Sequence, residues 1–127
     1  MIVLSVDDSA IIRKIIRGAV EVLEGTLLEA SDGVEALDIM DKHDGIDLIL
    51  LDWNMPGMNG WELLNRIKSH PVYKYIPVMM VTTEGERENI VRAIRAGAVH
   101  YLVKPFTMED LQKKILECLG RGDISSN

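Results

Sequence analysis

Asp47-Leu48-Ile49-Leu50-Leu51-Asp52-Trp53-Asn54-Met55-Pro56-Gly57-Met58-Asn59-Gly60 (residues 47–60) decides how this chain is read. Leu48 to Leu51 is apolar without alternation, which suits a strand covered on both faces, as in a parallel sheet. The run ends on a carboxylate, Asp52. Pro56, Gly57 and Gly60 then mark a loop.

The same grammar recurs on either side. Ile2-Val3-Leu4-Ser5-Val6 ends in Asp7-Asp8, Val78-Met79-Met80-Val81 ends in Thr82-Thr83, and Tyr101-Leu102-Val103 ends in Lys104-Pro105. Between these runs lie stretches with helical spacing. Ser9 opens the first, with Ile12, Ile15, Ile16, Ala19, Val20 and Leu23 on one side and Gly25 as its end. Thr26 to Ala30 reads as a further strand. Asp32-Gly33 is a turn, and Val34, Leu37 and Met40 form the next apolar stripe. A short helix with Leu63, Leu64 and Ile67 follows the 53–60 loop and breaks at His70-Pro71. Arg87 to Ala96 is a helix with Ile90, Ala93 and Ile94 inward and Gly97 as its cap. Thr107 caps a last helix that runs to about Leu119, with Met108, Leu111, Ile115 and Cys118 on its apolar side. Five strands alternating with five helices predict an α/β, doubly wound parallel sheet.

In such a sheet, ligands bind outside the carboxyl ends of the strands. Asp7, Asp8, Asp52, Thr82 and Lys104 would therefore share one edge. Three carboxylates repel one another unless a cation intervenes. Oxygen-only donors suit Mg²⁺, whereas His43, His70 and His100 lie in separate segments and offer no softer site. Asp52 is the candidate nucleophile, since a carboxylate can attack a phosphoryl group to form an aspartyl phosphate. Lys104 and a metal would neutralise the charge that develops, and Thr82 could hydrogen-bond a phosphoryl oxygen. Taken alone, Asp7-Asp8 could be a helix cap, Lys104 a solvated surface lysine and Thr82 a β-branched strand end; their common placement argues otherwise. A cis bond at Lys104-Pro105 is a further possibility.

Val6-Asp7-Asp8-Ser9, Asp52 to Gly60, Val81-Thr82-Thr83-Glu84 and Tyr101-Leu102-Val103-Lys104-Pro105-Phe106 together resemble the receiver domain of two-component response regulators. The likeness runs from about Ile2 to Leu119 and is nearest to the single-domain chemotaxis type. It implies a flavodoxin-like fold with strand order 2-1-3-4-5, a receiver domain over 1–120 and a flexible tail over 121–127. It implies Asp52 as phosphoacceptor and a Mg²⁺ site of Asp8, Asp52 and the Asn54 carbonyl, with Asp7 acting through water. Lys104 would pair with the phosphoryl group, Thr82 and Tyr101 would be the switch residues, and Asn54 and Glu84 would tune how fast the phosphate is lost. Thr83 departs from the alanine common after the switch threonine.

The partners implied are a sensor histidine kinase and a protein target such as the flagellar motor switch. The protein would be a phospho-accepting switch rather than an enzyme, and monomeric. A haloacid-dehalogenase-type phosphatase would need an acid where Asn54 stands. A non-catalytic adaptor would have lost a pocket residue, and a flavodoxin would carry a phosphate loop after the first strand.

The bulk properties agree. The 127 residues fit one domain, and 47% hydrophobic with 27% charged content is ordinary for a globular chain. A net charge of −6 argues against non-specific nucleic-acid binding. One cysteine, Cys118, rules out an internal disulfide and is expected to pack as a small hydrophobe. No apolar run approaches the roughly 20 residues of a membrane helix. No basic flank precedes a long apolar stretch, so no signal peptide is read and a cytoplasmic location is expected. The small polar tail after Leu119 is expected to fray, with Arg121-Gly122-Asp123 a chance triplet. With no effector segment after Leu119, a stand-alone regulator is expected; a receiver excised from a longer protein would read the same.

Overall fold

The computed structural model describes residues 1–120. Expectations for the tail 121–127 lie outside the described residues. Five strands, β1 (Ile2–Val6), β2 (Thr26–Ala30), β3 (Leu48–Leu51), β4 (Val78–Thr82) and β5 (His100–Val103), form one sheet in the order β2-β1-β3-β4-β5. Every pairing is parallel. The helices are α1 (Ala10–Val22), α2 (Gly33–Lys42), α3 (Gly60–Ser69), α4 (Arg87–Arg95) and α5 (Met108–Cys118). The doubly wound architecture and the strand order expected from the sequence are both present.

Alternation along the central strands divides the core between the two faces. Leu4, Val6, Ile49, Leu51, Val78 and Met80 pack under α2, α3 and α4, around Ala36, Met40, Leu63, Leu64, Ile67 and Ala93. Val3, Leu48, Leu50, Met79 and Val81 pack under α1 and α5, around Ile16, Ala19, Val20, Leu111 and Ile115. β3 is fully buried, so its unbroken apolar run reflects two covered faces.

Several residues assigned inward are not. Val34 is 69% exposed, Ile94 45% and Met108 40%. In α2 and α4, small residues decide this. The buried line of α2 is Gly33, Ala36 and Met40, and α4 is centred on Ala93, so both helices turn their narrow side to the sheet. Cys118 is half-buried beside the α1/α5 core, where burial pushes its thiol up to about 11. The residue after the α1 cap that takes a left-handed conformation is Glu24 (φ 58°), not Gly25. At Gly25 a Cβ would crowd the side chains of Met1, at 2.8 Å, and Val20, at 3.0 Å. Gly97 does end α4 with φ 115°, a value that suits glycine.

A one-turn 3₁₀ helix, Tyr73–Tyr75, was not foreseen. His70 Nδ1 accepts the backbone N–H groups of Val72 and Tyr73, each at 3.1 Å, and the ring stacks on Tyr73 at 3.8 Å. Lys68 Nζ closes the far end by donating to the carbonyls of Lys74 (3.1 Å) and Ile76 (2.7 Å). Among the described residues, no helix is long and apolar enough to cross a membrane.

Candidate functional site

Sheet hydrogen bonding continues one residue past three strands and fixes the backbone of the site. Asp7 N donates to Ala30 O (3.0 Å), Asp52 N to Val6 O (3.0 Å) and Lys104 N to Thr82 O (2.8 Å). Three residues from distant parts of the chain are therefore held by the ladder itself, at the carboxyl edge of the sheet.

Their side chains converge. One carboxylate oxygen each from Asp7, Asp8 and Asp52 lies within 4.8 Å of the others. Asp7 is 2% exposed and Asp52 6%, while Asp8 faces solvent. Lys104 Nζ reaches across to Asp7 Oδ2 at 2.9 Å and lies 3.7 Å from Asp52 Oδ2. The lysine that closes the pocket follows β5, and the Lys104-Pro105 peptide is cis.

Neighbouring backbone orients the acids. Ser9 N donates to Asp7 Oδ1 at 2.8 Å and Asn54 N to Asp52 Oδ1 at 3.3 Å. Ser9, not the aspartate pair, caps α1 by accepting from Ile12 N. Burial pushes the Asp52 carboxyl above the usual carboxylate range, and the charge of Asp7 adds to this. The Thr82 hydroxyl, Lys104 and the Asn54 N–H pull the other way.

Thr82 is fully buried, and its Oγ1 accepts from Glu84 N at 3.2 Å. The Tyr101 hydroxyl donates to the carbonyl of the same Glu84. One residue of the β4–α4 loop thus joins the side chains of Thr82 and Tyr101. Half-burial, followed by the charges of Glu84 and Asp52, pushes the Tyr101 phenol up to about 12. The Glu84 carboxylate turns to its own loop and accepts from Glu86 N at 3.1 Å, and Asn54 is exposed.

Sequence reading missed two supports. Arg13 Nε, on α1, donates to Asp7 O at 2.9 Å. Gly60 passes so close beneath the site strand that a Cβ would lie 2.1 Å from Asp52 O and 2.8 Å from Trp53 Cα. Its N–H closes the loop by donating to Trp53 O at 2.8 Å. Gly60 is legible as a loop glycine, but not as the point where α3 presses on the end of β3.

Chemically, the site sets three carboxylates against one ammonium at a half-open sheet edge. The three aspartates offer it hard oxygen donors. The carboxylates of Asp7, Asp8 and Asp52 are a donor set that fits a divalent cation of the Mg²⁺ type.

Comparison with known proteins adds the following. A family model described as the response regulator receiver domain matches residues 3–116. The chain is 42% identical over 123 residues to a protein from Campylobacter jejuni named chemotaxis protein CheY homolog, covering 96% of this chain and 95% of that one. It is 40% identical to chemotaxis protein CheY1 of Helicobacter pylori, covering 97% and 100% of the two chains. The crystal structure of Vibrio cholerae chemotaxis protein CheY4 superposes with a TM-score of 0.86 at 36% identity, over 93% of this chain and 98% of that one.

Proposed function

The chain belongs to the response regulator receiver domain family, a family of phospho-accepting signalling switches in two-component systems, and on that premise we propose that Asp52 is its phosphoacceptor and that it serves chemotaxis. One observation carries the assignment of Asp52. It is a buried carboxylate at a strand end, oriented by the Asn54 N–H and facing Lys104 at 3.7 Å.

The chemistry follows from the groups present. An Asp52 oxygen attacks the phosphorus of a phosphohistidine on a sensor histidine kinase of the CheA type. The phosphorus–nitrogen bond breaks as the aspartyl phosphate forms, and the histidine leaves with its electron pair. Lys104 is placed to exchange its contact with Asp52 for the incoming phosphoryl oxygens. A bound Mg²⁺ would neutralise charge that develops on the transferred group. Asp8, Asp52 and the Asn54 carbonyl would hold it, and Asp7 would act through water while anchoring Lys104. Asn54 and Glu84, each two residues past a site residue, would tune autodephosphorylation.

The switch is supported by the two hydrogen bonds on Glu84. When Thr82 turns its hydroxyl to a phosphoryl oxygen, Glu84 N loses its acceptor. The loop then shifts, and the Glu84 carbonyl that holds Tyr101 shifts with it. Tyr101 moves inward, and the surface of α4, β5 and α5 changes for a downstream target such as the flagellar motor switch. Action in the cytoplasm as a monomer, with 1–120 as the whole receiver unit, completes the reading.

Intact-mass measurement after incubation with acetyl phosphate and Mg²⁺ tests the assignment. Wild type should gain one phosphoryl group and Asp52→Asn none; an equal gain in both would remove Asp52 from the role. Retention of motor-switch protein only with beryllofluoride present would support chemotaxis. Phosphorylation-dependent self-association would favour another output.

A further inference from the structure

The loop between β3 and α3 carries Asn54, and its outer arc turns through Pro56 and Gly57. Gly57 has φ 72° and nothing within 4 Å of the place a Cβ would occupy, so the turn stands clear of the body. The C-terminal foot of the loop is tied by Gly60 N to Trp53 O and by the Asn59 side chain, which accepts from Glu62 N at 2.9 Å. Between arc and foot sits Met58, partly buried against the core.

Its seat is the first turn of α2. A Cβ on Gly33 would lie 2.8 Å from Met58 Sδ and 3.2 Å from its Cβ and Cγ. Real side chains do not approach so closely, so the methionine lies flat on bare backbone. That backbone is tied down by a helix cap, Asp32 accepting from Glu35 N at 2.8 Å. It also begins three residues after Ala30, whose carbonyl holds Asp7 N. The contact therefore joins the strand end that sets Asp7 to the loop that sets Asn54.

We infer that Met58 is a positioning residue of the phosphoacceptor site and that Gly33 is the seat its side chain requires. The inference rests on the reading of Asp8, Asp52 and the Asn54 carbonyl as a cation site. Either loss, a Cβ at Gly33 or truncation of Met58, frees the arc and displaces the Asn54 carbonyl. Losing such an outer support weakens a metal site about tenfold or more.

Calorimetric titration of Mg²⁺ into the intact protein tests this. Met58→Ala and Gly33→Ala should each weaken the dissociation constant about tenfold. The double variant should be no weaker than about tenfold as well, because both changes remove one contact. Melting temperatures separate positioning from bulk stability: a purely structural contact would lower them and leave Mg²⁺ affinity untouched. An unchanged dissociation constant in Met58→Ala, or effects that multiply in the double variant, would overturn the inference. If Gly33→Ala does not fold, Met58→Ala in its partly exposed loop still decides the matter. Failure of wild type itself to bind Mg²⁺ would instead count against the cation site.

Discussion

Asp52→Asn should make the unphosphorylated protein more stable at neutral pH. Asp7 and Asp52 offer carboxylate oxygens within 4.8 Å of each other, so at an effective dielectric of about 20 Asp7 repels Asp52 by at least about 3.5 kcal/mol. On the same footing, Lys104 at 3.7 Å attracts it by about 4.5 kcal/mol. The two oppose each other at similar size, and exposed Asp8 adds a solvent-screened repulsion. What remains is burial, the largest cause of the raised Asp52 pKa. Asparagine keeps the shape and the acceptor for Asn54 N–H while removing the charge. Lys104 is not orphaned, because its shorter contact is with Asp7 at 2.9 Å. A gain of about 1–2 kcal/mol follows, a rise in melting temperature of about 5 °C.

The pH dependence has a definite sign. Because the folded pKa of Asp52 is raised, its ionisation opposes folding. That opposition is full above the folded pKa and disappears below the unfolded value of about 3.9. The gap between variant and wild type should therefore be widest near neutrality and close in acid. Thermal melts across this range measure it. A variant that melts below wild type at neutral pH, or a gap that does not change with pH, would refute the electrostatic reasoning.

Gly60→Ala should cost about 3 kcal/mol or more in urea unfolding, because a Cβ would lie 2.1 Å from the Asp52 carbonyl oxygen and backbone must move. Lys68→Met should cost about 1–2 kcal/mol, since the carbonyls of Lys74 and Ile76 lose their donor; amide exchange should rise first around Tyr73–Tyr75. Thr107→Ala should cost about 1 kcal/mol by the same denaturant assay, because Thr107 and Asp110 cap α5 reciprocally.

Fold and site were legible in the sequence where chemistry is carried by residue type and strand position. Leu48 to Leu51 announces a strand covered on both faces, and the polar residues that follow four apolar runs share an edge in any parallel arrangement. The same logic failed where small residues govern. Val34 and Ile94 look inward by period, yet Gly33, Ala36 and Ala93 let α2 and α4 settle on their narrow sides. A hydrophobic pattern reports which side chains gain from burial, not how closely two backbones approach. Side-chain-to-backbone bonds were equally invisible. Nothing in the spacing of His70, Lys68 or Arg13 marks them as partners of main-chain groups.

The sequence by itself determined the order of elements, the identities of the acids and the lysine, and the edge at which they meet. Tertiary structure alone decided that Lys104 sits nearer Asp7 than Asp52, that Thr82 and Tyr101 both bind the backbone of Glu84, and that Gly60 and Gly33 are points of contact. The reason is range. Propensity and periodicity act between neighbours along the chain. Distances of a few ångströms between residues as far apart as Asp7 and Lys104 are set by strand register and by how tightly the helices close over the sheet.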